Sequence, residues 1–130
     1  MMRQDRLSVG VDMVSVLRME ATLARWGRRF LERIYTDQEI TYCLERAHPA
    51  LSLAARFAAK EAFFKAVSRT LTRSLAHKSI EVVVDERGIP DIKAHGRALE
   101  ALGESRAALS ISHERDHAIA VVITYPEVKV

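Results

Sequence analysis

One cysteine, three prolines, five glycines and a 6% share of aromatics set the first limits on this 130-residue chain. Cys43 has no second cysteine with which to close an intramolecular disulfide, so a disulfide framework is excluded and the reducing cytoplasm is the expected compartment. A lone cysteine within a helical pattern reads as packing rather than as a nucleophile. No stretch reaches the roughly 20 uninterrupted apolar residues that a membrane span needs, and none follows Arg3 and Arg6, so neither export nor a membrane partner is expected. The few glycines form no Walker-type phosphate loop, dinucleotide fingerprint or nucleophile elbow. Any phosphate would then be held by isolated basic side chains and by the ends of helices or strands. Repeats, low-complexity segments and linkers are also missing, which suits a single domain over residues 1–130.

What the chain does have is positive charge. A formal net charge of +3 points to an anionic small molecule, an acidic protein or a nucleic acid. The aromatics fall mostly on apolar helical faces and do not interleave with a basic strand surface, so no nucleic-acid partner is expected.

Periodicity supplies the elements. Ser8–Val14 reads as a short buried strand, apolar except for Asp12 and opened by Gly10 to close backbone or ligand approach. From Arg18 to Phe30 the residues Met19, Leu23, Trp26 and Phe30 form one stripe of an amphipathic helix, with Arg18, Arg25 and Arg29 along its edge. Thr36 and Glu39 fit a capping box that opens a second helix, ending near His48. Pro49 starts a third, running to about Ser68. That helix is apolar around most of its circumference, interrupted by Arg56 and Lys60 on one side and by Glu61, Lys65 and Ser68 on another. Ile80–Val84 and Pro90–Lys93 read as a hairpin around Asp85–Gly88, Gly96–Gly103 as a short helix, and Ala107–Ser112 with Ala118–Thr124 as a second hairpin. The order suits an α+β fold with helices packed on a mainly antiparallel sheet.

Glu61 and Lys65, four residues apart, would ordinarily be an exposed ion pair worth about 0.2–0.5 kcal/mol. On a nearly all-apolar helix they point instead to a polar pocket, because a buried unpaired charge costs several kcal/mol. Asp12 adds a carboxylate to an apolar strand. If Asp12 and Glu61 meet, they suit Mg²⁺, which takes one or two protein carboxylates and fills its shell with phosphate and water, or Mn²⁺, which shares its preference for oxygen. His113 and His117 have a spacing used by zinc sites but flank a turn without further ligands. His48, His77 and His95 sit at element boundaries and read as solvated.

Gly10-Val11-Asp12 with Arg18, the run Arg56-Phe57-Ala58-Ala59-Lys60-Glu61-Ala62-Phe63-Phe64-Lys65-Ala66, and Ser110-Ile111-Ser112-His113 together resemble the holo-acyl-carrier-protein synthases. These are the small class of 4'-phosphopantetheinyl transferases. The likeness spans about Ser8 to Thr124. It implies a homotrimer with active sites at subunit interfaces, and transfer of 4'-phosphopantetheine from coenzyme A to a serine of apo acyl-carrier protein, releasing 3',5'-ADP, as in fatty acid biosynthesis. It further implies that Asp12 and Glu61 hold Mg²⁺ and that Lys65 contacts the phosphates. Arg56 and His113 would lie near coenzyme A, and Arg18, Arg25 and Arg29 would meet the acidic carrier. The general base stays open between Glu61 and a water on the metal. One departure stands out: family members commonly have a glycine-rich turn where this chain reads Val67-Ser68-Arg69-Thr70-Leu71. Without glycine there, Arg69 or Arg73 would replace backbone contacts to coenzyme A, and a non-catalytic binder of the same fold is the alternative reading.

Overall fold

The computed structural model describes residues 6–71 and 74–128, so the expectations attached to Arg3 and Arg73 lie outside the described residues. In chain order the elements are β1 (Ser8–Ser15), α1 (Val16–Trp26), α2 (Arg28–Ile34), α3 (Asp37–Leu44), α4 (Pro49–Ala66), a 3₁₀ turn (His77–Ser79), β2 (Ile80–Val84), β3 (Pro90–Ala94), α5 (Gly96–Leu102), β4 (Ser105–His113) and β5 (His117–Pro126). Among the described residues no helix is long and apolar enough to cross a membrane.

The strands form two antiparallel sheets, as the pattern of two hairpins predicts. The larger has the order β1-β5-β4, so the last strand lies in the middle and the first pairs with it from Ser8↔Thr124 to Ser15↔His117. The smaller is the hairpin β2-β3. Alternation decides which side of the larger sheet is covered. Ala118, Ala120, Val122 and Thr124 of β5 point inward and are buried, and Gly10, Asp12 and Val14 of β1 share that side. The outward residues of β1 correct the expectation of a buried strand: Val9 and Met13 are each 64% exposed and Val11 is exposed between them. Ile119 and Ile123 of β5 extend that apolar surface.

The long basic-edged helix expected over Arg18–Phe30 is two helices. Ser15 caps α1 by accepting a hydrogen bond from the Arg18 amide at 3.2 Å, and Gly27, at φ +53°, ends it. A residue with a Cβ resists that backbone conformation, whereas glycine enters it freely. Trp26, expected on the buried stripe, is therefore left at the break and is 50% exposed. The capping box on α3 is present in full, with Thr36 Oγ1 accepting from the Glu39 amide and Glu39 Oε1 accepting from the Thr36 amide.

Helix α4 passes through the middle of the molecule and joins two apolar clusters. Ala58, Ala59, Ala62, Phe63 and Ala66 pack with Ile80, Val82, Ala98, Ala120 and Val122. Leu53, Ala54 and Ala55 pack with Met19, Leu31, Ile34, Tyr35, Ile40 and Cys43. The polar side marked by Lys60 is buried completely. Lys60 Nζ donates to Glu39 Oε1 at 2.8 Å and to the carbonyls of His77 and Ile80, and Glu39 Oε2 accepts from the Val82 amide at 3.0 Å. Burial pulls the lysine below its usual range, and Glu39 opposes that shift. Satisfying every proton of the ammonium makes such a burial tolerable, and removing one partner of a buried pair typically costs about 3–5 kcal/mol. His95, expected to be solvated, is also engaged, at 3.0 Å from Glu81 Oε1, while Thr36 Oγ1 donates to Glu81 Oε2. Burial alone would raise the Glu81 carboxyl; the hydrogen bonds from His95 and Thr36 outweigh it and hold the group below its ordinary value.

The crossing of β1 and α4 depends on Gly10. A Cβ at this position would stand 1.9 Å from the Ala62 carbonyl oxygen and 2.7 Å from the Ala66 amide nitrogen, so helix and strand touch backbone to backbone. Neither backbone atom can move aside without carrying its element with it. Gly10→Ala is accordingly expected to destabilise the fold by at least about 3 kcal/mol, the upper end of ordinary overpacking. Urea denaturation measures it, and an unchanged midpoint would show that β1 and α4 have room to separate.

Candidate active site

The Gly10 crossing sets Asp12 beside the last turns of α4. Lys65 Nζ lies 3.2 Å from Asp12 Oδ1 and donates to the Val11 carbonyl at 2.9 Å. Glu61, one turn earlier on the same helix face, is not paired with Lys65. Its Oε2 stands 2.9 Å from Nε2 of His77, a residue expected to be solvated. The exposed i, i+4 pair is thereby excluded, and each of the two side chains is held by a different element. The side chains of Asp12 and Glu61 are partly exposed, at 21% and 34%.

A cavity of about 270 Å³ adjoins this group, lined by Asp12, Arg18 and Thr22 on one side and by Phe30 and Phe57 on the other. Phe57 lies one turn before Glu61 on α4 and stacks on the His77 ring, with centroids 5.4 Å apart and planes at 21°. Asp12 and Arg18 thus border this space together with Phe57, the α4 residue one turn before Glu61.

The donor chemistry fits a hard divalent cation. Asp12 and Glu61 are oxygen ligands, and the described hydrogen bonds use one oxygen of each carboxylate. Among the described residues no group of three or more histidines, cysteines, aspartates or glutamates gathers as a ready-made metal cage. An ion bound here would complete its shell from water and a phosphate-bearing ligand, as Mg²⁺ commonly does.

Other residues singled out in the sequence lie elsewhere. Arg56 is nearly half a helical turn round α4 from Lys65 and is only 6% exposed. Its Nη1 donates to Ser52 Oγ at 3.0 Å, its guanidinium lies 4.4 Å from the Tyr42 ring centre, and its buried Nε has no partner among the described residues. His113 ends β4, exposed, in the row of Ala118 and Val14 two strands from β1. Within one chain neither reaches the Asp12 group. Arg25 and Arg29 fall on different helices, yet Trp26 gathers them: the Arg25 guanidinium lies 5.1 Å from the indole centre, and a surface hollow is lined by Trp26, Arg29, Phe30 and Arg33. Cys43 is buried, accepts a hydrogen bond from Ser52 Oγ at 3.3 Å, and has its thiol pushed up by burial, against the opposing pull of Arg56 and Ser52. At Val67–Leu71 the chain is tied rather than glycine-loose. Val67 is buried, and Thr70 Oγ1 donates to the Ala101 carbonyl at 2.9 Å, joining the end of α4 to α5. Arg69 is exposed there and shares a hollow of about 170 Å³ with Arg6, Ser8 and Thr70.

His77 is the residue that sequence reasoning missed. Its signal was faint: a histidine after Ala76, separated from a strand start by Lys78 and Ser79, with nothing local to show that Phe57 and Phe64 would enclose its ring.

Comparison with known proteins shows the family. Residues 8–122 match the model of the 4'-phosphopantetheinyl transferase superfamily. The chain is 42% identical over 117 residues to the holo-[acyl-carrier-protein] synthase of Syntrophus aciditrophicus, covering 88% of this chain and 91% of that one. It is 45% identical over 118 residues to the synthase of Halorhodospira halophila, covering 88% and 94%. Among solved structures, the Chronobacterium ammoniagenes synthase in complex with coenzyme A superposes with a TM-score of 0.81 at 30% identity, covering 95% of this chain and all of that one. The Neisseria meningitidis synthase superposes at 0.79 with 36% identity, covering 90% and 96%. The chain belongs to the 4'-phosphopantetheinyl transferase superfamily, among its holo-[acyl-carrier-protein] synthases.

Proposed function

We propose that the space between Asp12, Arg18 and the Glu61–Lys65 face of α4 is where this chain carries out its family's reaction: transfer of 4'-phosphopantetheine from coenzyme A to a serine of apo acyl-carrier protein. The observation that carries the assignment is the Lys65 bridge to Asp12 and the Val11 carbonyl, which unites the carboxylate of β1 with the helix face that bears Glu61.

In this reading Asp12 and Glu61 would hold Mg²⁺, or Mn²⁺ in its place, where coenzyme A presents its phosphates. The ion, when bound, supplies Lewis-acid neutralisation of the phosphoryl oxygens. Lys65 reaches the same region on a flexible stem and directs its ammonium toward the charge that grows on those oxygens. The serine oxygen forms a bond to the β-phosphorus as the bond to the 3',5'-ADP oxygen breaks, and the hydroxyl proton passes to a base, either Glu61 or a water in the site. Phe30 and Phe57 give the cavity an apolar wall, which strengthens each charge interaction beside it.

Two partners belong to the reading. The acidic carrier protein meets Arg18 at the cavity and Arg25 and Arg29 around Trp26, where complementary charge raises the encounter rate and sets orientation. The second partner is the chain itself. The outward face of the larger sheet exposes Val9, Val11, Met13, Ile119 and Ile123 side by side, a contiguous apolar surface of the kind that marks an interface. A homotrimer closed through this face supports active sites shared between copies, in which Arg56 and His113 serve coenzyme A bound by a neighbour.

Intact-mass measurement of an apo acyl-carrier protein, incubated with the chain, coenzyme A and Mg²⁺, tests the central assignment. The carrier is expected to gain one phosphopantetheine. Asp12→Ala and Glu61→Ala are each expected to slow that gain by at least about a hundredfold, the scale set by losing one charge-stabilising group. Full turnover by both variants would remove the site from Asp12 and Glu61. No turnover by any folded form that binds coenzyme A would leave a binder in place of an enzyme.

For the carrier surface, replacing Arg18, Arg25 and Arg29 by alanine is expected to raise KM for the carrier and flatten its rise with ionic strength. An unaltered salt dependence would move the docking site elsewhere. Sedimentation velocity addresses assembly: the unmodified chain is expected to sediment as three copies and Val11→Glu with Met13→Glu as one. A trimer that survives both charges would place the interface on another face.

A further inference from the structure

His77 is built into the molecule from three directions. Its backbone carbonyl accepts a hydrogen bond from the fully buried Lys60 at 3.0 Å, which anchors the 3₁₀ turn to the middle of α4. One ring face stacks on Phe57, and Phe64 meets the ring edge-on at 5.0 Å and 88°. With backbone and ring both held, Nε2 faces Glu61 Oε2 at 2.9 Å. An ionised carboxylate only accepts, so in the tautomer that carries its proton on Nε2 the imidazole donates to Glu61. Phe57, which supports the ring, also lines the cavity with Asp12 and Arg18.

A glutamate has several rotatable bonds, and ordering it at a binding event opposes that binding. Here one carboxylate oxygen is already taken by a donor that has little freedom to move. That leaves Oε1 without a hydrogen bond among the described residues and open to a ligand. Outer-shell hydrogen bonds of this kind commonly change metal affinity by about 10–100-fold.

We propose that His77 is a positioning residue that holds Glu61 in the orientation in which it binds a divalent cation, with Phe57 and Phe64 clamping the imidazole for that purpose. The inference rests on the assignment of Asp12 and Glu61 as metal ligands. It assigns to the turn before β2 a part in the site that neither the motif run on α4 nor the Asp12 strand contains.

The test is Mn²⁺ binding by the whole protein, read from the electron paramagnetic resonance signal of free Mn²⁺ at one fixed pH with coenzyme A present. His77→Phe keeps a ring between Phe57 and Phe64 and removes the donor, so Mn²⁺ is expected to bind about 10–100-fold more weakly. His77→Gln, which restores an N–H donor, is expected to recover part of the loss. In turnover assays the His77→Phe deficit is expected to shrink as Mg²⁺ is raised, a rescue that a merely misfolded site would not show. Mn²⁺ affinity that is unchanged or tighter in His77→Phe, while Glu61→Gln has lost it, overturns the proposal and leaves the metal site standing. Unaltered Mn²⁺ binding by Glu61→Gln overturns the metal role of Glu61 and this inference with it. If His77→Phe does not fold, as judged by circular dichroism, His77→Gln against His77→Met makes the same comparison between donor and no donor.

Discussion

The backbone-to-backbone contact of β1 with α4 at Gly10 is the constraint on which the rest of the molecule depends. A strand and a helix normally keep their side chains between them. Here the missing Cβ lets the strand press against the carbonyl of Ala62 and the amide of Ala66, and the alanines around them keep that side of the helix low. Asp12 lies two residues further along β1, on the same side of the strand, within reach of Lys65. Moving β1 outward by the width of a methyl group would separate a carboxylate and an ammonium that now stand 3.2 Å apart. The same approach fixes the sheet, because β1 hydrogen-bonds along its whole length to β5 and β5 to β4.

Charge along α4 is distributed so that Lys60, Glu61 and Lys65 each pair with another element and not with one another. Lys65 turns to β1, Glu61 to the turn before β2, and Lys60 to α3 and the carbonyls around β2. Each of these contacts spans many residues of sequence, so the helix is held from three sides by polar contacts as well as by its alanines. Lys65 remains largely exposed and free to follow a ligand, whereas Lys60 is locked away, a contrast that follows from burial rather than from residue type.

Much of this was legible in the sequence. The capping box on α3, the proline start of α4, both hairpins and the short α5 follow from local signals that tertiary structure did not overrule. Asp12 and Glu61 were legible because a carboxylate in an apolar element is conspicuous. The split at Gly27 was masked by an apolar stripe that ran through it in register, although a glycine inside a helix costs about 1 kcal/mol and marks a place where the helix can break. The exposure of β1 was illegible because period-two burial cannot be read from a strand that is apolar on both faces. Helical spacing already set Arg56 apart from the Glu61 face, and the structure turns it toward Ser52 and toward Tyr42, the latter a contact that no pattern within α4 alone announces. Glu39 with Lys60, and Glu61 with His77, join residues 21 and 16 positions apart, and no pattern within one element encodes such pairings.

An α-helix whose buried residues are mostly alanine resembles a smooth rod: its shape gives neighbouring elements little by which to choose one rotation over the next. The buried ammonium of Lys60 acts on α4 as a key acts on a shaft. Three acceptors from different parts of the chain receive it in one angular setting only, and turning the helix by a single residue, about 100°, would drive the charge into the apolar clusters. Glu61 follows Lys60 directly in the sequence, so the angle at which Lys60 is keyed is also the angle at which Glu61 is aimed.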